Sequence, residues 1–198
     1  MKTKTFIHIS DLHIAAKNKP GLEDTNPRAE KTWLVAQEDE KNNYYIQDFC
    51  NNINENFKQS ECDYYLLISG DIADASDPEE YQFAITYLRQ IQKNLGIKED
   101  NILIVPGNHD VSWSLCRQAA EAEKDSSKLA YQQLEAKYSN FKDFYNSFFQ
   151  NVRTFNSLKQ IVNWIELKDE RILIVGINTN YKINYEGGGV KERLKEMI

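Results

Sequence analysis

The chain has 198 residues, 41% of them hydrophobic, with a formal net charge of −6. That is long enough for one well-cored domain, too apolar for a disordered chain, and too acidic for a generic nucleic-acid grip, which needs a basic face. The longest apolar runs are far short of a membrane span, and no positively charged segment followed by an apolar one opens the chain. Cys50, Cys62 and Cys116 are odd in number, widely spaced and without a CxxC pattern. They read as reduced thiols in a cytoplasmic protein, with no histidine at a spacing that suggests thiol catalysis.

In chain order, Thr5–Ser10 alternates and is β-branched, a strand running into Asp11-Leu12-His13. His8, inside that strand, is assigned to a hydrogen-bonded sheet position. Residues 14–42 are rich in Lys, Asn, Pro, Gly, Glu and Asp and read as a long polar loop, of the kind that roofs sites. Tyr45, Ile46, Phe49, Ile53 and Phe57 follow a 3.6-residue period, an amphipathic helix. Tyr64–Ile68 is a second buried strand, ending at Gly70-Asp71.

Asp77-Pro78-Glu79-Glu80 is a helix start, with an N-cap, a proline at the first turn and acids behind it; Gly96 stops the helix. Ile102–Val105 is a third strand, entering Gly107-Asn108-His109-Asp110. Strand, helix, strand, helix, strand defines an α/β unit with a largely parallel sheet. Residues 112–158 break that alternation and read as a helical insertion, with Tyr138, Phe141, Phe144, Tyr145 and Phe148 as a core stripe. Val162–Glu166 and Arg171–Asn178 form a hairpin around Lys168-Asp169-Glu170. Gly187–Gly189 lacks the Lys-Ser/Thr of a phosphate loop and reads as a turn before a helix from Val190 to Ile198.

Three polar peptides thus follow three strands: Asp11-Leu12-His13, Gly70-Asp71 and Gly107-Asn108-His109-Asp110. In open α/β sheets ligands bind beyond the carboxyl ends of the strands, where all three fall. Carboxylates, an amide oxygen and imidazoles suit divalent ions such as Mn²⁺, Mg²⁺, Fe²⁺ or Zn²⁺. A glycine before Asp71 lets the backbone pass close to such ions. Asp110 is assigned to backbone donors of its own loop, and Asp77 to the helix cap.

FIHISDLH, YYLLISGDIAD and NILIVPGNHD together resemble the calcineurin-like metallophosphoesterases, tightly from Thr5 to Asp110 and loosely afterwards. The resemblance implies a metallophosphoesterase-like sheet layered with helices, an incomplete αββα sandwich formed by residues 1–198 with the helical insertion at 112–158. It implies that Asp11 and His13 hold one metal, that Asp71 bridges two, and that Asn108 holds the second. His109 would face the leaving group and Asp74 would orient it, although a carboxylate three residues past Asp71 is also an ordinary approach to a helix.

The implied chemistry is hydrolysis of a phosphoester with two divalent ions, Mn²⁺ foremost, clamping the phosphoryl group and activating a water. Asp74-Ala75-Ser76 lacks the arginine of the phosphoprotein phosphatases of this superfamily. The expected substrates are therefore phosphodiesters, nucleotides or nucleic acid, and no membrane is expected. The alternative is a non-catalytic recognition or assembly module of a larger protein. The family's later histidines are missing, since His8, His13 and His109 are the only three. The expectation is a chain cut short before them, or else one that takes ligands from a partner subunit or holds a single metal.

Overall fold

The computed structural model describes residues 2–16, 32, 34–36, 39–58, 60–123, 135–157 and 159–181. Strand β1 (Thr3–Ile9) pairs in parallel with β4 (Cys62–Ile68), Thr3 opposite Cys62 and Ile9 opposite Ile68. β4 pairs in parallel with β5 (Ile102–Ile104), which makes β4 the central strand. Alternation on β4 then assigns its two faces. Tyr64, Leu66 and Ile68 join the main core under the helices, while Tyr65 and Leu67 join a second cluster with Leu103, Ile165, Leu167 and Ile174.

The helices are α1 (Asp39–Asn56), α2 (Pro78–Leu95), α3 (Trp113–Glu123) and α4 (Ser139–Phe148). The predicted start of α2 is present in full. The Asp77 side chain accepts the Glu79 amide at 2.9 Å, and Glu80 returns a bond to the Asp77 amide at 3.2 Å, a capping box. Gly96 closes the helix in the left-handed conformation, φ 62°.

The aromatic stripe of α4 is core. Phe141 and Phe148 are fully buried, and the Tyr81 and Phe144 rings stack at 5.0 Å. Truncating Phe141 to alanine should cost about 3–5 kcal/mol of stability, read from urea unfolding midpoints. A loss of under about 1 kcal/mol would mean that α4 contributes little to the core.

On the other face lies the predicted hairpin, β6 (Val162–Leu167) antiparallel to β7 (Ile172–Ile177). Its inner residues Ile165 and Leu167 pack on β4 and β5, and Lys4 holds its turn through Glu170 at 3.2 Å. The described residues thus supply an α layer and two β layers, a mixed α/β architecture consistent with the metallophosphoesterase fold.

One local expectation is corrected. Residues 14–42 are not wholly loop: β2 (Ala15–Ala16) pairs in parallel with β3 (Val35–Ala36), and α1 begins at Asp39. Two-residue strands carry no period for sequence reading to detect. Their anchor is the fully buried Asn42, which accepts the Val35 amide at 3.3 Å and donates to its carbonyl at 2.5 Å. The turn at Gly187–Gly189 and the helix expected from Val190 lie outside the described residues. Among the described residues, no helix is long and apolar enough to cross a membrane.

Candidate metal centre

Parallel pairing of β1 with β4 does not stop at the strand ends. Asp11 N donates to Gly70 O at 3.2 Å, His13 N to Asp71 O at 2.9 Å, and Ile14 N to Ile72 O at 2.9 Å. The first two peptides therefore run side by side, which places His13 next to Asp71. Asp11, His13 and Asp71 all have left-handed backbones, with φ of 57°, 43° and 52°. Such conformations cost energy and persist where the surroundings enforce them, commonly at functional sites.

The third peptide is locked to the second from two sides. The His109 amide donates to Asp71 Oδ1 at 2.8 Å. Behind it the Asp110 carboxylate, fully buried, accepts from Ile72 N, Ala73 N, Gly107 N and the Tyr81 hydroxyl at 2.9–3.3 Å. Loss of water around Asp110 pushes its pKa up to about 6, and the bonds from Gly107, Ala73, Ile72 and Tyr81 oppose that rise. Burial and the Asp110 charge together hold Tyr81 well above its ordinary value, so the phenol stays a donor. In chelator-treated protein the Asp110 carboxyl carbon should titrate near pH 6 by NMR. A midpoint in the ordinary carboxylate range would show that water reaches it.

These contacts bring His13, Asp71 and His109 together, with one donor atom from each lying within 4.8 Å of the others. Two imidazole nitrogens and a carboxylate oxygen are donors of the kind that divalent metals take. The two imidazoles meet edge to face, centroids 4.4 Å apart. His109 Nδ1 donates to the main-chain carbonyl of Asp74 at 2.6 Å, which fixes the proton there and leaves Nε2 for a metal or a substrate.

The other expected site residues sit around this group. The Asp74 carboxylate lies beside both rings, 3.8 Å from His13 Nδ1 and 4.0 Å from His109 Nδ1; its carbonyl, not its carboxylate, is within hydrogen-bond distance of His109. Asp11 is exposed and approaches His13 Nε2 at 3.8 Å. Asn108 is exposed at the tip of the third peptide. His8 bonds Ser69 Oγ at 2.8 Å, in the sheet position expected of it. Sequence reading did not find Tyr81 or Ser76, which clamp the Asp110 residue from α2 and the loop before it; neither carries a motif.

The calcineurin-like phosphoesterase family matches residues 4–196. This chain belongs to that family. Metal-dependent hydrolysis of phosphoesters is the chemistry of calcineurin-like phosphoesterases, and His13, Asp71 and His109 bring together donor atoms that could hold such a metal. The metallophosphoesterase-like protein YydB of Bacillus subtilis, itself uncharacterized, is 31% identical over 112 residues. That stretch is 57% of this chain and 18% of YydB, so the chain spans less than a fifth of that relative's length. No solved structure matches the chain.

Proposed function

We propose that this protein hydrolyses phosphodiesters with a pair of divalent ions, Mn²⁺ foremost. One observation carries the reading: three strand-end peptides, far apart in sequence, converge on the His13–Asp71–His109 group in a chain of phosphoesterase ancestry. A mixed set of imidazole, carboxylate and amide donors supports a borderline ion such as Mn²⁺. When bound, such ions polarise the phosphoryl oxygens and supply a nucleophile at neutral pH.

The chain's own groups do the rest. Asp11, His13, Asp71 and Asn108 hold the ions, and the neutral amide of Asn108 keeps the site from becoming too anionic to admit phosphate. His109, with Nδ1–H on the Asp74 carbonyl, turns Nε2 to the substrate; a proton carried on Nε2 as well passes to the departing alkoxide and leaves the neutral ring. Asp74 holds the His109 ring through its carbonyl, with its carboxylate 4.0 Å from the same nitrogen. The three cysteines carry thiols, not disulfides, which supports the cytoplasm as the compartment.

The test is Mn²⁺-dependent hydrolysis of bis-(p-nitrophenyl) phosphate by the full-length protein. His109→Gln should lower kcat by roughly a hundredfold or more. A second reading, a recognition or assembly module, is favoured by the short supply of imidazoles: His8 is engaged with Ser69, leaving two histidines at the centre. Absence of turnover with every divalent metal would select it.

A further inference from the structure

Beside the metal centre lies a cavity of about 1030 Å³, at the top of the range of roughly 300–1,000 Å³ found for small-molecule sites. His13, Asp74 and His109 are among its lining residues, so it opens directly onto the candidate centre. Another part of the lining is α1. Tyr45, Phe49 and Ile53 recur there at four-residue spacing, which places them on one face of the helix.

Leu34 and Ile9 extend this apolar wall. Both are only partly buried, as are Phe49 and Ile53, and Tyr45 is 36% exposed. Apolar side chains left half-covered around a concave space gain free energy from any apolar group that enters it.

Charge narrows the occupant. Asp11, Asp48 and Asp74 line the cavity, and among the described residues no lysine or arginine does. A nucleic-acid strand or a polyphosphate would bring several anions to a lining whose described residues offer no counter-charge. A neutral group hanging from a single phosphoryl centre brings none.

We propose that this cavity binds an uncharged, ring-sized arm of the substrate, with the phosphoryl group seated at the His13–His109 end. The proposal rests on the phosphoesterase reading and names its substrate class: small phosphoesters with an aryl or nucleobase-like arm. Tyr45 and Phe49 offer ring faces for stacking, and Asn52 stands on the polar rim.

The experiment measures dissociation constants of methylphosphonate, (1-naphthylmethyl)phosphonate and adenosine 5′-phosphorothioate, with Mn²⁺ and again in EDTA. With Mn²⁺ the naphthyl compound should bind roughly tenfold or more tighter than the methyl compound. Phe49→Ala should erase most of that advantage. Because Phe49 also touches the core, Tyr45→Ser at a more exposed position provides a second variant, expected to lower the advantage about threefold. Whichever ring compound binds tighter tells a nucleobase from a plain aryl arm, and either supports the proposal. Equal binding of the methyl and naphthyl compounds with Mn²⁺ overturns the cavity assignment and leaves the hydrolase standing. A naphthyl advantage that EDTA does not touch supports the cavity and removes the metal from the reading.

Discussion

Asparagine in place of Asp71 is expected to weaken Mn²⁺ binding by roughly a hundredfold or more, with the fold intact. Loss of a group that merely orients a ligand costs about 10–100-fold in metal affinity, and a ligand should cost at least that. The geometry makes the isosteric change severe. One Asp71 oxygen already accepts the His109 amide at 2.8 Å. An asparagine that keeps this bond with its carbonyl must turn its amino group, which has no lone pair to give, toward the ion. The shape survives and the second acceptor does not. Calorimetric titration reads the affinity, and far-UV circular dichroism checks the fold. Mn²⁺ affinity within about threefold of the wild type would remove Asp71 from the ligand set.

Gly70→Ala is expected to be the most damaging small change, costing about 3–5 kcal/mol. Gly70 holds φ 104°, a region that side chains rarely enter. A Cβ there would stand 2.2 Å from Gly107 N and 2.5 Å from Gly107 Cα, against backbone that cannot swing aside. The collision pushes the second and third peptides apart, so metal affinity should fall with stability. Gly176→Ala is the comparison. Its Cβ would meet side-chain atoms of Val105 and Leu103, at 2.8 and 3.2 Å, which can repack. That variant should lose about 1–2 kcal/mol in urea unfolding. Equal losses at the two positions would show that the close approach of Gly70 to Gly107 yields easily.

What could be read from the sequence was whatever depended on near neighbours. The α2 start was legible because Asp77, Glu79 and Glu80 satisfy one another within a single turn. The strand ends were legible because each polar peptide interrupts an apolar run. Asn42 was opaque, since its side chain serves Val35 and Tyr87, on β3 and α2. The bond that sets the His109 ring was opaque for a different reason. It comes from a main-chain carbonyl, and every residue has one of those, so the identity of Asp74 could not announce it. Tyr81 stands in the same position: a core tyrosine and the tyrosine that clamps Asp110 look alike in one dimension.

The parallel pairing of β1 with β4 also sets an order of events during synthesis. Asp11 and His13 leave the ribosome early, but the carbonyls that hold them in place belong to Gly70 and Asp71, and β1 itself lies opposite Cys62–Ile68. Non-local pairing of this kind must close a long loop before any contact rewards it. His109 arrives later still. A nascent chain that has not yet released Gly107–Asp110 has no converged donor group, so an ion held by these three peptides would be loaded only after the three-strand unit is translated.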